Sequence, residues 1–264
     1  MKHALIGFLV SSLGIAVWSL FLAVLPAPWS ILAMIPVLWV YWKWFTRKYA
    51  AWPWGGAGPW DDGRRPIRAG GLRALQLGAA LLFVLIVQAS FVVTFCLIPF
   101  PAERFTADYK QLGSMPLWTA WALIVMSSIV AAICEETGFR GYMQAPLQKR
   151  YGPRIAIIAT SIFFTLIHLS HRWAAPILPQ IFFASVLLGL LAWRSGSLIP
   201  GIIGHAILDI FDYSFWWTNI TGKIDRKTIF ETGVDGHFIV WALLLAAACR
   251  AFFRVINTPT FAKH

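Results

Sequence analysis

Glu135, Glu136 and Arg140 stand in "CEETGFR" at the end of a run of nineteen uncharged residues, Pro116 to Cys134. Arg140 follows Glu136 by four residues, the favourable order for an ion pair along a helix, while Glu135 is rotated onto a different face. The simplest division pairs Glu136 with Arg140 and leaves Glu135 without a local cation, a carboxylate suited to act as a general base. A capping cluster at the water interface is the other reading of the same three residues.

Further along lie His168, in "FTLIH", and a stripe of His205, Asp209 and Asp212 in "HAILDIFD". The stripe's spacings of four and three put its members on one face of an otherwise apolar helix. A turn at "RYGP", residues 150–153, separates Glu135 from His168. At 1.5 Å per residue both lie about 22–26 Å along their helices from that turn, so a hairpin brings them to similar depth. His171, beside Arg172, is expected in a loop; Gly201 and Gly204 are expected to permit close helix packing, with substrate approach as the alternative. The chemistry that suits this set is hydrolysis. Glu135 would take a proton from water, His168 would help hold that water, and His205 with Asp209 would stabilise the forming oxyanion. No Gly-x-Ser-x-Gly, Ser–Lys pair or plausibly spaced Cys–His pair offers a covalent nucleophile. A proton-coupled transporter also uses buried carboxylates, but these groups cluster on three helices and do not spread along a path.

The elements that position them must be membrane helices. The 264 residues are 59% hydrophobic and 12% charged, and the mean hydropathy is +0.69. These values exclude an ordinary soluble domain. The expected fold is all-α and polytopic, a single transmembrane domain over residues 1–264. It has eight spans, near 4–24, 29–45, 74–98, 116–144, 155–169, 177–193, 197–217 and 238–254. The second is short and carries Pro36, so it is expected either kinked or paired with the first as a tight hairpin. The first is taken as a retained helix, being long for the apolar region of a signal peptide.

The formal charge of +11 is explained by topology. Lys43, Arg47, Lys48, Arg64, Arg65, Arg68 and Arg73 share one loop, offset only by Asp61 and Asp62. With eight spans, Lys149, Arg150, Arg154, Arg194, Arg250, Arg254 and Lys263 fall on the same side, which places both termini in the cytoplasm. No nucleic-acid partner is expected. The tryptophans around the basic loop suit interfacial anchoring, and the Trp/Gly-rich stretch 52–63 is given no function. Cys96, Cys134 and Cys249 lack paired spacing and are expected as buried small hydrophobes.

Taken together, the three motifs resemble those of the type II CAAX prenyl endopeptidases and their prokaryotic relatives, the CPBP (Abi) intramembrane glutamic proteases. "EETGFR" is similar to their EExxxR motif, Phe164 to His168 to their FxxxH, and His205 to Asp209 to their HxxxN/D. The resemblance covers about residues 116–217. It implies Glu135 as catalytic base and His168 as its partner in positioning water. It implies His205 and Asp209 at the oxyanion site, Glu136 and Arg140 shaping the turn around the base, and Phe164 packing beneath His168. Where the prenyl endopeptidases have Asn, this chain has Asp209. Ionised Asp repels an oxyanion, so Asp209 must be protonated, orient His205 or help bind a metal, and orientation of His205 is the favoured role. Asp212 has no counterpart in the motif.

The expected activity is that of an intramembrane endopeptidase, cutting a membrane-embedded or lipid-anchored protein or peptide with Glu-activated water. The alternative is a non-catalytic bacteriocin-immunity or peptide-binding membrane protein of the same family. No metal or other cofactor is expected. Zinc is the variant reading, since two histidines and carboxylates are an acceptable ligand set, although HExxH is absent. The expected location is a bacterial cytoplasmic membrane, with the lipid bilayer as the surrounding partner.

Overall fold

A computed structural model of the chain describes residues 2–49, 69–98, 110–170, 177–217 and 228–258. The Trp/Gly-rich stretch 52–63, the basic residues 64–68, His171 and Lys263 lie outside these. Among the described residues every regular element is a helix. The principal ones are α1 (Lys2–Val24), α2 (Ala27–Tyr41), α3 (Ala69–Leu97), α4 (Leu117–Glu135), α5 (Ala145–Tyr151), α6 (Pro153–Ile167), α7 (Leu178–Ser195), α8 (Ile199–Phe211) and α9 (Gly236–Ile256). The chain is therefore an all-α, multi-pass membrane protein.

Each of the eight expected spans falls on one of these helices. Five stretches are long and apolar enough to cross a membrane: Lys2–Val24, Ala74–Leu97, Leu117–Tyr151, Leu178–Ser195 and Gly236–Ile256. Helix α2 and helix α6 have 15 residues each and α8 has 13, fewer than the roughly 20 that span the hydrocarbon core. Wider helical turns lengthen two of them: Trp42–Thr46 follows α2 and Asp212–Trp217 follows α8.

The second span does form a tight hairpin with the first. Only residues 25–26 separate α1 from α2, and the Tyr41 hydroxyl donates to the Val10 carbonyl at 2.8 Å. The first hydrophobic core joins α1, α2 and α4 through Val10, Trp18, Met34, Tyr41, Leu123 and Val130. A second joins α3, α7, α8 and α9 around Phe83, Val87, Phe91, Leu187, Leu191 and Phe252. Strongly apolar residues also face outward, among them Leu9, Trp29, Trp39 and Leu243. In water such a surface would aggregate; in lipid it is the solvent-facing side.

Between α4 and α5 the helix does not stop but widens into a π-helical segment, Glu136–Gln144. Two glycines let other elements approach it closely. A Cβ on Gly7 of α1 would meet the Gly138 carbonyl at 2.7 Å, and one on Gly141 would meet the Tyr49 ring at 2.8 Å. The Thr46 and Thr137 hydroxyls are hydrogen-bonded at 2.8 Å, so the end of α2 is tied to the same segment. The turn at 150–153 forms as its residues dictate. Gly152 takes φ 81°, the left-handed conformation glycine tolerates, and Pro153 opens α6 with its fixed φ.

Candidate active site

The widened segment carries the first group of ionisable residues into the protein, and Glu136 and Arg140 are wholly buried. Arg140 Nη1 lies 3.0 Å from Glu136 Oε1, the pairing expected from their spacing. The other arm of the guanidinium, Nη2, donates to the Ser185 hydroxyl at 2.9 Å and to the Ser185 carbonyl at 3.2 Å. Its plane also covers the Phe164 ring, 4.6 Å from the ring centre. One side chain thus locks the segment to α7 and α6, as a fork with five donors can and an ammonium cannot.

Glu136 does more than balance Arg140. The same oxygen, Oε1, lies 3.0 Å from His205 Nδ1. Helix α8 can come this near because residue 201 has no side chain: a Cβ there would stand 3.0 Å from Glu136 Oε2. The glycine expected to serve helix packing therefore serves the site directly. Gly204 packs as expected, with a Cβ there only 2.8 Å from the Phe83 ring.

With Nδ1 turned to Glu136, His205 presents Nε2 to a cavity. That nitrogen is 3.7 Å from Glu135 Oε2 and 3.7 Å from Asp209 Oδ1. Both separations exceed a hydrogen bond and leave room for a bridging atom, a spacing common where substrate or water completes the contact. Glu135 thus reaches the opposite nitrogen from the one Glu136 holds, as two carboxylates on different faces of one helix must. The hydrogen-bond partner that orients the His205 ring is Glu136 at Nδ1, and Asp209 stands beside Nε2.

His168 closes the site from the end of α6. Its Nδ1 lies 2.7 Å from the Phe164 carbonyl. A carbonyl only accepts, so Nδ1 carries the proton, and in the neutral ring Nε2 is an acceptor. The Phe164 ring packs against His168 with centroids 4.7 Å apart and against His205 at 6.3 Å. One aromatic ring therefore braces both imidazoles and lies under Arg140.

Glu135, His168, His205, Asp209 and Asp212 all line one cavity of about 150 Å³, with Gln180 and the apolar side chains of Val87, Phe91, Ile177, Ile181 and Leu208. Two features of its wall were not evident from the sequence. Gln88 of α3 donates to Asp212 Oδ1 at 2.6 Å. Gln180 of α7 is held by Ser90, whose hydroxyl donates to Gln180 Oε1 at 2.7 Å. Lone amides in apolar helices give no spacing signal; only the fold shows what they meet.

Residues 116–211 match the family model "Type II CAAX prenyl endopeptidase Rce1-like". The match covers 96 of the 264 residues. This is a protease family, and the likeness to it lies in that segment. The Rce1-like segment contains the whole of α4 through α8, with Glu135, Glu136, Arg140, Phe164, His168, His205 and Asp209 inside it. It ends one residue before Asp212. No curated protein and no solved structure matches the chain. Among the described residues no three His, Cys, Asp or Glu side chains are grouped so that they could hold a metal ion. Cys96, Cys134 and Cys249 are free thiols on three separate helices.

Proposed function

We propose that this protein is an intramembrane endopeptidase that hydrolyses a peptide bond of a membrane-embedded or lipid-anchored substrate with water activated by Glu135. The observation that carries the reading is the gap of 3.7 Å between Glu135 Oε2 and His205 Nε2, in a cavity that His168 and Asp209 also line.

In this mechanism Glu135 takes a proton from a water held by its carboxylate and by Nε2 of His168, and the hydroxide attacks the scissile carbonyl. His205, when protonated at Nε2, donates to the oxygen on which charge develops. Glu136 holds the ring from behind, fixing the direction of that donor as an orienting carboxylate does in other histidine sites. Glu135 then returns its proton to the leaving nitrogen, so one water is consumed and no covalent enzyme intermediate forms. Asp209, beside Nε2, bears on the same nitrogen from the substrate side. No metal is required by any step. The protein works in a bacterial cytoplasmic membrane with both termini in the cytoplasm, its substrate a membrane protein or peptide.

The test is cleavage of a reporter transmembrane peptide by the purified protein in proteoliposomes, in water enriched in heavy oxygen. Wild type is expected to yield two fragments, with one labelled oxygen in the new carboxylate. Glu135→Gln is expected to lower the rate at least about a hundredfold, the usual contribution of a general base, with the thermal melt unchanged. Full activity in that variant would defeat the assignment.

A further inference from the structure

Among the described residues, Asp212 is the one acidic side chain of the cavity wall that the proposed mechanism does not use. It is 3% exposed, on the first residue of the wide turn that follows α8, and it lies beyond the residues that match the protease family. From Asp209 to Asp212 is three residues, about 4.5 Å along a helix. That is about the advance of one to two residues in an extended peptide. A substrate chain with its scissile bond at His205 and Glu135 would thus bring a neighbouring side chain to Asp212.

The surroundings of Asp212 define what that side chain should be. Gln88 donates to Oδ1 at 2.6 Å, and among the described residues no second donor meets the carboxylate, which leaves its other oxygen for a ligand. Gln88 is neutral, and a carboxylate in a bilayer demands more than one neutral amide to offset its desolvation. The near wall is apolar, made by Val87, Phe91, Ile177 and Leu208. A cavity of about 150 Å³ is of the size that takes a benzene-sized molecule. A lysine side chain has both parts: an aliphatic stem to lie along the apolar wall and an ammonium to meet the carboxylate. Nor, among the described residues, does the wall hold a lysine or arginine; its ionisable members there are Glu135, Asp209, Asp212, His168, His205 and Tyr213. Arg140 is committed to Glu136 and Ser185.

We infer that Asp212, held by Gln88, is a specificity-determining residue that selects substrates with a basic side chain one or two residues from the cleaved bond. The inference rests on the hydrolase reading for its placement but is tested by binding, which does not require cleavage. The probes are synthetic transmembrane peptides in which one lysine is moved stepwise through the central residues, each paired with a norleucine control that keeps the stem and removes the charge. Affinity is measured for the purified protein in nanodiscs.

One or two lysine positions are expected to bind about tenfold or more tightly than their norleucine controls. Asp212→Asn should erase that ratio while leaving norleucine affinity unchanged, and Asp212→Glu should restore part of it. A purely structural role for Asp212 would shift both peptides alike and overturn the inference. Equal affinity of wild type for lysine and norleucine at every position would also overturn it, even if Asp212→Asn failed to fold. Cleavage without any lysine preference would sink this inference alone. Lysine preference without cleavage would sink the hydrolase reading and leave selective capture of basic peptides.

Discussion

Glu136 Oε1 lies 3.0 Å from His205 Nδ1 and also 3.0 Å from Arg140 Nη1, so one buried oxygen joins a cation on its own helix to an imidazole on another. Adjacent Glu135 approaches the other nitrogen of that imidazole at 3.7 Å. Two neighbouring carboxylates therefore hold one ring from both ends. One fixes it, and the other shares with it the space where a water can sit. This explains why the chain places both glutamates together at the end of an uncharged run: each serves a different nitrogen.

Glu136→Gln is expected to disable the protein in two ways that can be separated. It leaves Arg140 buried without its charge partner, a defect that typically costs about 3–5 kcal/mol, and it weakens the hold on His205. The double variant Glu136→Gln with Arg140→Met removes the orphaned charge and should melt closer to wild type. It should nonetheless cleave poorly, because the imidazole is still unheld. Recovery of both stability and cleavage in the double variant would show that Glu136 matters only to Arg140.

Gly201→Ala tests the same contact from the other side. The new Cβ would stand 3.0 Å from Glu136 Oε2, tighter than ordinary packing and against a carboxylate fixed by two partners. The carboxylate or α8 must shift by a few tenths of an ångström. Cleavage is expected to fall about tenfold or more, since small displacements of positioned groups weigh heavily on catalysis, while the melt moves by only a few degrees. An unchanged rate would mean that Glu136 need not hold this position.

Much of this was legible in the sequence because the membrane makes polarity informative. In a chain with so few charges, Glu135, Glu136, Arg140, His168, His205 and Asp209 stand out singly, and helical spacing pairs Glu136 with Arg140 as found. The eight apolar stretches mark where helices lie. What the spacing could not give is the widening at Glu136–Gln144, where Gly7 approaches Gly138 and Tyr49 approaches Gly141 from 131 and 92 positions away in the chain. It could not give the Glu136–His205 bond either, since contacts between distant helices have no period. Asp209 sits beside Nε2 for the same reason: its place is set by α8, but the nitrogen it faces is set by which carboxylate claims the other.

Phe164→Leu should show how far one ring serves the whole site. The ring lies under Arg140, against His168 and near His205. Leucine keeps the apolar character and loses the aromatic face and part of the volume. The expected loss of stability is about 1–3 kcal/mol, from a partly filled cavity and a lost cation–π contact. Cleavage should drop more than the melt alone explains, because both imidazoles lose their brace. A rate loss that vanishes when folded fraction is corrected for would confine Phe164 to packing.

Asp209→Asn separates the roles open to that side chain. Asn is nearly the same shape, and its amide can donate to an oxyanion where a carboxylate can only accept. If the carboxylate served chiefly to bear a charge beside Nε2, the rate should fall steeply, as with Asp209→Ala. The geometry favours a different outcome. Glu136 already orients the ring through Nδ1, at 3.0 Å against the 3.7 Å separating Asp209 from Nε2. Asp209→Asn is therefore expected to keep cleavage within about tenfold of wild type, with Asp209→Ala much slower. The measurement is the initial rate for the reporter peptide in proteoliposomes, run with and without a zinc chelator. Loss of cleavage in Asn but not in Ala would contradict this division of labour. Loss of wild-type cleavage on chelation, with stoichiometric zinc in the purified protein, would instead give Asp209 and His205 to a metal.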